Sequence, residues 1–145
     1  MKIRHLIFIV LFLFADSSYG QSSDTGKVSR IIKYGEAIYD SKPDSALLLF
    51  KNAEILADKY LNSEKNAKFL FSLSQLKSLA INNQGFLLYE DDVNAALVKF
   101  LYALKIREQI SDLKNLPESY ANLGVLYTNL SQFDKALFYS FKVPP

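Results

Sequence analysis

The chain has 145 residues, of which 50% are hydrophobic and 22% are charged, and its formal net charge is +2. This composition is typical of one globular domain and excludes a disordered or a collagen-like chain. The absence of cysteine excludes a disulfide framework, a thiolate nucleophile and a cysteine zinc site. The near-neutral charge gives no electrostatic reason to bind nucleic acid or an anionic membrane.

Residues 1–20 have the three-part pattern of a cleaved signal peptide. Two basic residues precede an unbroken apolar run over residues 6–14, and Ser18 and Gly20 follow with the spacing of a signal-peptidase site. A membrane-spanning helix needs roughly 20 apolar residues, so the run predicts export, with cleavage before Gln21, rather than an anchor. We therefore expect the mature chain to be periplasmic or secreted, without stable insertion in a membrane.

The mature chain is predicted to have no catalytic, cofactor or metal site. Cleavage removes His5, the only histidine, and with it the commonest general base and metal ligand. The acidic run at residues 90–92 is too short for a calcium loop, whose oxygens spread over about a dozen residues around a glycine. We interpret it as a solvated turn in which Asp92 caps the next helix. A stand-alone hydrolase is disfavoured for the same reasons.

After a polar leader at residues 21–27, which is predicted to be disordered, the apolar residues recur with a helical period. Pro43 suits the first turn of a helix, and Ser63 is predicted to cap the third one. Ser131 and Asp134 have the spacing of a capping box. The pattern predicts an all-α domain at residues 28–145 with six helices, at Val28–Asp40, Pro43–Tyr60, Glu64–Glu90, Val93–Ile110, Leu116–Asn129 and Gln132–Lys142.

A glycine recurs inside the first helix of each predicted pair, at Gly35, Gly85 and Gly124. Glycine within a helix costs about 1 kcal/mol relative to alanine, so three of them need a reason. The simplest is close contact with the paired helix, where a small alanine serves the same crossing and a phenylalanine fills the gap beside it. The short turns predict three antiparallel hairpins. The predicted packing residues are Gly35, Ala46, Phe50, Ala53, Gly85, Ala96, Phe100, Ala103, Gly124, Phe133 and Ala136.

The third copy has the fullest set of repeated residues: Tyr120, Leu123, Gly124, Tyr127, Phe133 and Ala136. With these residues the chain resembles the tetratricopeptide-repeat family, in a longer-period bacterial form. The second copy has Gln84 where the family usually has leucine. The glycines are 50 and then 39 residues apart, not the usual 34, which predicts an extended second helix or a larger loop around residues 59–67. Such intervals also approach the HEAT and armadillo periods, but the Gly/Ala/Phe pattern favours tetratricopeptide repeats.

The resemblance implies antiparallel helix hairpins stacked as an α-solenoid, a right-handed superhelix of about three repeats. In this family the first helices of successive repeats line a concave groove that binds a protein or peptide. Phe86 and Tyr89 fit a space-filling role between helices equally well, since helical spacing alone does not separate the two roles. The matching groove residues here are Tyr39, Asn82, Asn83, Phe86, Tyr89, Ala121, Asn122, Val125 and Thr128, beside Ile32, Glu36 and Glu118.

One form of this groove holds an acidic C-terminal tail with basic and amide side chains. Of the matching positions only Asn83 fits, whereas Glu36 and Glu118 would repel a carboxylate, so acidic-tail binding is disfavoured. The leading prediction is an exported, non-catalytic protein- or peptide-binding module. The alternative is the extracytoplasmic sensing fragment of a membrane-anchored histidine kinase or transcription regulator. Such proteins resemble this chain in their signal peptide, degenerate first repeat and longer later repeats.

The last predicted helix carries more aromatic residues than one packed face holds. Phe138, Tyr139 and Phe141 span most of its circumference, so they cannot all face inward. Two explanations stay open: the C-terminal hairpin docks on a partner or on a second copy of the chain, or the chain is the N-terminal piece of a longer protein. The repeat breaks off in mid-pattern, which favours truncation.

Overall fold

The computed structural model describes residues 24–143, so the predicted signal peptide lies outside the described residues. No strand occurs in residues 24–143, which confirms the all-α prediction. Most helix ends lie within a few residues of their predicted positions. The helices are α1 at residues 24–38, α2 at Pro43–Ser63, α3 at Ala67–Leu88, α4 at Val93–Gln109, α5 at Leu116–Asn129 and α6 at Phe133–Lys142.

The N-terminal part of α1 differs from the prediction. Residues 24–27 belong to the predicted disordered leader but are helical, so the leader prediction is wrong for them. Lys27 Nζ pairs with Asp24 Oδ1 at 3.0 Å, three residues apart on one helix face. The next residue, Val28, is fully buried in the core. The burial of Val28 stabilises the helical turn before it. That effect comes from residues distant in the chain, so the polar residues 24–27 alone do not predict a helix.

The capping predictions for α3 and α4 had different outcomes. Asp92 does cap α4, since its carboxylate accepts from Ala95 N at 2.9 Å. Ser63 does not cap α3: it is the last residue of α2, and its hydroxyl donates to a carbonyl of its own helix. The cap is Asn66, whose side chain accepts from Lys68 N at 3.0 Å. The predicted extension of α2 is present, since α2 runs to Ser63, but the longer first glycine interval comes mainly from α3. That helix begins at Ala67, 18 residues before Gly85, whereas α5 begins at Leu116, eight residues before Gly124.

Two serines end α4 and α5 in the left-handed conformation. Ser111 has φ 54° and Ser131 has φ 57°. In each case the serine N–H and the next N–H bond back to carbonyls three and five residues earlier, which is the Schellman arrangement. Because Ser131 is used this way, the predicted capping box with Asp134 is wrong. The residue before α6 is Gln132, and its side chain makes no capping hydrogen bond.

The helices pack in chain order. α3 lies against α2 and α4, and α5 lies against α4 and α6. One buried cluster joins α1, α2 and α3 around Phe50 and Leu73, and a second joins α4, α5 and α6 around Phe100 and Leu123. A third, smaller cluster lies between α3 and α4 and consists of Ile81, Ala103 and Ile106. The core therefore consists of three apolar clusters that follow one another along the packed helices.

The repeated glycines do lie at close helix contacts. A Cβ at Gly35 would lie 2.7 Å from the Phe50 ring, and one at Gly85 would lie 2.9 Å from the Phe100 ring. The phenylalanine ring thus covers the glycine directly, rather than filling a gap beside it. At Gly124 the nearest atoms are Ser140 Oγ at 3.1 Å and a backbone oxygen of α6 at 3.7 Å. The predicted alanines Ala46, Ala53, Ala96, Ala103 and Ala136 are all buried.

Phe133 was predicted to pack between helices, and that prediction is wrong. It is the first residue of α6 and its side chain is 65% exposed. Phe50 and Phe100 each lie four residues after the repeated alanine, and the residue four after Ala136 is Ser140. The third hairpin therefore has a small polar residue where the first two have a ring. Phe133 and Ala136 have the three-residue spacing of Phe50 and Ala53, but Ala136 is equivalent to Ala46 and not to Ala53.

Candidate functional site

Helices α1, α3 and α5, the first of each hairpin, contribute side chains to one shared surface, which we call the odd-helix face. On α3 its residues are 72, 75, 76, 79, 82, 83 and 86, whose three- and four-residue spacing places them on one side of the helix. Hydrogen bonds join this side of α3 to Glu36 on α1 and to Glu118 on α5. The face therefore runs across all three hairpins.

A row of hydrogen-bonded polar side chains, here called the polar belt, crosses the middle of the odd-helix face. Asn83 donates to Glu36 at 3.3 Å, and Asn82 donates to Glu118 at 3.2 Å. Asn122 in turn donates to the Asn82 carbonyl oxygen at 3.3 Å. These amides, which were expected to be free for a ligand, are already bonded to neighbouring helices. For Asn82, which is 1% exposed, the expectation of an accessible groove residue is wrong.

Three further residues of the expected groove have different environments. Ile32 is 2% exposed and belongs to the core cluster of α1, so its assignment to an open groove is also wrong. Ala121 and Thr128 are exposed on α5. The Thr128 hydroxyl donates to the Gly124 carbonyl oxygen of its own helix at 2.8 Å, the usual local partner of a mid-helix threonine.

At one end of the odd-helix face an apolar pocket of about 320 Å³ opens between α3 and α5. Phe86 is 40% exposed, and its ring packs edge-on against Phe100 with 5.1 Å between centroids. Val125 across the pocket is 62% exposed. Phe86 thus packs against α4 with one side of its ring and faces solvent with the other. It therefore has both of the roles considered for it, packing between helices and lining the groove. The lining residues are Phe86, Tyr89, Phe100, Asn122, Val125 and Leu126, four of which are sequence-predicted groove residues.

A second pocket, of about 470 Å³, continues from Phe86 and Tyr89 to the turn after α1. The carboxylates of Asp40, Glu90 and Asp91 line it. Burial raises the pKa of Tyr39 above its usual value, and the negative charges of Asp40 and Glu90 raise it further. This end of the face is therefore acidic, and it favours a cationic group over an anionic one.

Tyr89 lies between these two pockets and is half-buried. Asn129 Nδ2, at the end of α5, donates to the Tyr89 hydroxyl. The bond holds the ring across the gap between α3 and α5. Since both pockets share this ring, together they form one groove with an apolar half and an acidic half.

The opposite end of the odd-helix face contains a residue that the sequence analysis missed. Arg107 is 1% exposed and lines a cavity of about 510 Å³ beside the starts of α1, α3 and α5. Its Nη1 donates to Asn115 O at 3.0 Å and to Ser119 Oγ at 2.7 Å, and its Nη2 lies 3.3 Å from Glu118. Burial lowers the pKa of Arg107, and Glu118 and Asp112 oppose that shift.

The signal for a buried Arg107 was present in the sequence. Ala96, Phe100 and Ala103 form the buried stripe of α4, and Arg107 continues it with a four-residue step. In α2 the equivalent stripe ends in Ala57, which is also buried. Arg107 is therefore part of the packing between helices, and its ion pair with Glu118 fixes that carboxylate in the polar belt.

In residues 24–143 no group of three or more His, Cys, Asp and Glu side chains is arranged to hold a metal ion. Over the same residues, none of the helices combines the length and apolar content that a bilayer crossing requires. Comparison of the chain with protein-family models, with curated proteins and with solved structures finds no match. The chemistry of the odd-helix face is therefore the basis for a functional assignment.

Proposed function

We propose that this chain is a non-catalytic module that binds a protein or peptide through the odd-helix face. The observation that carries the proposal is the apolar pocket. Phe86 on α3 and Val125 on α5 expose large apolar surface in one pocket, and the polar belt lies beside it. Apolar pockets with a few polar groups at their rim are typical of binding sites, because a ligand side chain gains by leaving water there.

We further propose a tetratricopeptide-like solenoid for the whole chain. Support comes from the recurrence of one contact, a glycine on the first helix covered by the second helix, in all three hairpins. The turns after α1 and α3 also repeat the same backbone hydrogen bonds, at Tyr39 and Lys42 and at Tyr89 and Asp92. At Gln84, where the family usually has leucine, the buried amide nitrogen donates to Glu54 on α2 at 2.7 Å.

The chemistry of the groove defines the kind of ligand. An aliphatic or aromatic side chain suits the pocket at Phe86, and a lysine or arginine a few residues away suits the carboxylates of Asp40, Glu90 and Asp91. An acidic peptide is disfavoured, because these carboxylates and Glu36 would repel it. We therefore infer that the ligand is a short segment with an apolar anchor beside a basic residue.

We also propose that the chain acts outside the cytoplasm, after cleavage of residues 1–20. The support is the order of basic start, apolar run and small residues at positions 18 and 20. Without cysteine, such an exported chain depends on packing and hydrogen bonds for its stability.

The binding proposal is tested with a display library of random 12-residue peptides. We expect the selected peptides to share an apolar residue next to a basic one. Val125→Lys is expected to weaken their binding roughly tenfold or more, because it places a charge in the pocket and repels the basic residue. Binding is measured by fluorescence anisotropy with labelled peptides.

The matched control is Val98→Lys on α4. Val98 is 64% exposed, almost the same as Val125, but it lies outside the groove. This variant is expected to bind like the unmodified chain, and circular dichroism checks that both variants stay folded. Selected peptides that are acidic, or that bind the Val125→Lys variant with unchanged affinity, would refute the proposal.

A further inference from the structure

Outside the odd-helix face, α6 exposes an unusual amount of apolar surface. Phe133, Leu137, Phe138 and Phe141, here called the α6 apolar face, are between 54% and 80% exposed. The opposite side of α6 packs on α5 through Ala136 and Tyr139. Each large apolar side chain left in water forgoes roughly 1.5–3 kcal/mol relative to burial. The concentration of four on one ten-residue helix indicates an interaction surface.

The repeat shows what kind of element covers this surface elsewhere in the chain. Phe133, Leu137 and Phe141 have the same offsets from Ala136 as Val93, Leu97 and Leu101 have from Ala96. On α4 those three residues are half-buried, in the cluster that α4 forms with α5. The equivalent face of a second helix is therefore a helix-packing surface, so an α-helix is the element that fits the α6 apolar face.

A head-to-tail contact with α1 of another copy does not fit. On α5, Ser119, Leu123 and Leu126 are buried where α5 meets the preceding hairpin. Counted from the repeated glycine, the equivalent residues of α1 are all exposed: Arg30, Tyr34 and Ala37. Packing them on the α6 apolar face would desolvate the Arg30 charge against phenylalanine rings, which is costly. Ala37 also has little apolar surface to offer where α5 has Leu126.

Two copies of α6 do fit each other. Asp134, Phe138 and Lys142 are spaced four residues apart, so they form one edge of the helix with a negative start and a positive end. Lys142 Nζ lies 4.7 Å from the centre of the Phe138 ring and 5.2 Å from that of Tyr120 on α5, so its charge lies where this edge borders α5. In an antiparallel pair with its two-fold axis near Phe138, each Asp134 faces Lys142 of the second copy. A parallel pair would bring like charges together.

We propose that the α6 apolar face is a homodimer interface in which α6 of two copies packs antiparallel about a two-fold axis. Such an interface is self-complementary and closed, so it produces a dimer and not a fibre. It buries four large apolar side chains from each copy and pairs Asp134 with Lys142 at both ends. It leaves the odd-helix face of each copy free, so it is independent of the ligand proposed above.

The absence of cysteine makes cross-linking of the full chain a direct test. In Leu137→Cys the two thiols lie close to the two-fold axis, and mild oxidation is expected to yield a covalent dimer. The control is Tyr34→Cys, since Tyr34 is 61% exposed but lies on α1. It is expected to stay monomeric in denaturing electrophoresis. Equal cross-linking of both variants, or cross-linking only in a mixture of the two, would overturn the antiparallel dimer.

Charge reversal gives a second readout. Asp134→Lys is expected to raise the dimer dissociation constant, by roughly two- to fivefold for each of the two pairs it removes, as for exposed ion pairs. Adding Lys142→Asp to the same chain is expected to restore it. Both dissociation constants are measured by sedimentation equilibrium, and circular dichroism checks helix content. A monomeric unmodified chain, or a double variant no tighter than the single one, contradicts the proposal.

Discussion

At the scale of single residues, the three repeated glycines are not equivalent. Gly35 and Gly85 each lie under a phenylalanine ring that is at most 3% exposed and is fixed by the surrounding core. Gly124 instead faces the hydroxyl of Ser140, which is bonded at 2.8 Å to a carbonyl of its own helix. A ring in a packed core cannot move aside, whereas a serine hydroxyl can rotate. The same residue type therefore has different tolerance at the two kinds of contact.

This difference predicts opposite effects of one substitution. Gly85→Ala is expected to lower the free energy of unfolding by about 1–3 kcal/mol, because the new methyl group meets the Phe100 ring at 2.9 Å. Gly124→Ala is expected to be neutral or to stabilise by up to about 1 kcal/mol, through the higher helix propensity of alanine. Urea unfolding followed by circular dichroism measures both. Equal destabilisation would show that the third crossing is as tight as the second.

At the scale of helices, the contact between α4 and α5 contains a buried charged side chain, Arg107, where the contact between α2 and α3 has the alanine Ala57. Arg107 reaches from the end of α4 to the start of α5, where Asn115 and Ser119 accept its hydrogen bonds. The equivalent residue of α2, Ala57, makes the contact with apolar atoms alone. Arg107 also pairs with Glu118, so one side chain links the helix contact to the polar belt.

Removal of this side chain should weaken the contact between α4 and α5. Arg107→Ala is expected to reduce stability by about 2–4 kcal/mol, because it leaves a cavity and deprives Asn115 and Ser119 of a donor. Lys105→Ala, an exposed substitution two residues earlier, is expected to stay within about 0.5 kcal/mol of the unmodified chain. Thermal and urea unfolding measure the pair. Equal stability of the two variants would contradict the structural role of Arg107.

At the scale of the whole molecule, the sequence predicted the features that depend on residues close together in the chain. The six helices and the glycine contacts follow from local periodicity, and α2, α4 and α5 begin at their predicted residues. The polar belt did not follow, since its hydrogen bonds join residues 36 to 47 positions apart. Whether an asparagine is free or bonded depends on which helices meet, and a helical period does not contain that information.

A further prediction for the whole chain is that its N-terminal residues are cleaved on export. If residues 1–20 are a signal peptide, protein recovered outside the cytoplasm of an expressing bacterium begins at Gln21. Gly20→Lys is expected to leave the precursor uncut, because signal peptidase requires a small residue there. Mass spectrometry of the N-terminal peptide distinguishes the two forms. Exported protein that retains Met1 would contradict the cleavage.

The polar belt has a consequence for the heat of any binding event on the odd-helix face. Asn82 is buried, so a ligand backbone reaches the belt at Asn83 and Glu36. There it must replace the Asn83–Glu36 bond with its own, so it exchanges hydrogen bonds and gains few. The enthalpy of that exchange is expected to be small. The apolar pocket beside it, by contrast, gives a negative change in heat capacity when it is filled. A ligand that binds mainly through an apolar side chain in the pocket is therefore expected to show a small binding enthalpy and a clearly negative change in heat capacity in calorimetry.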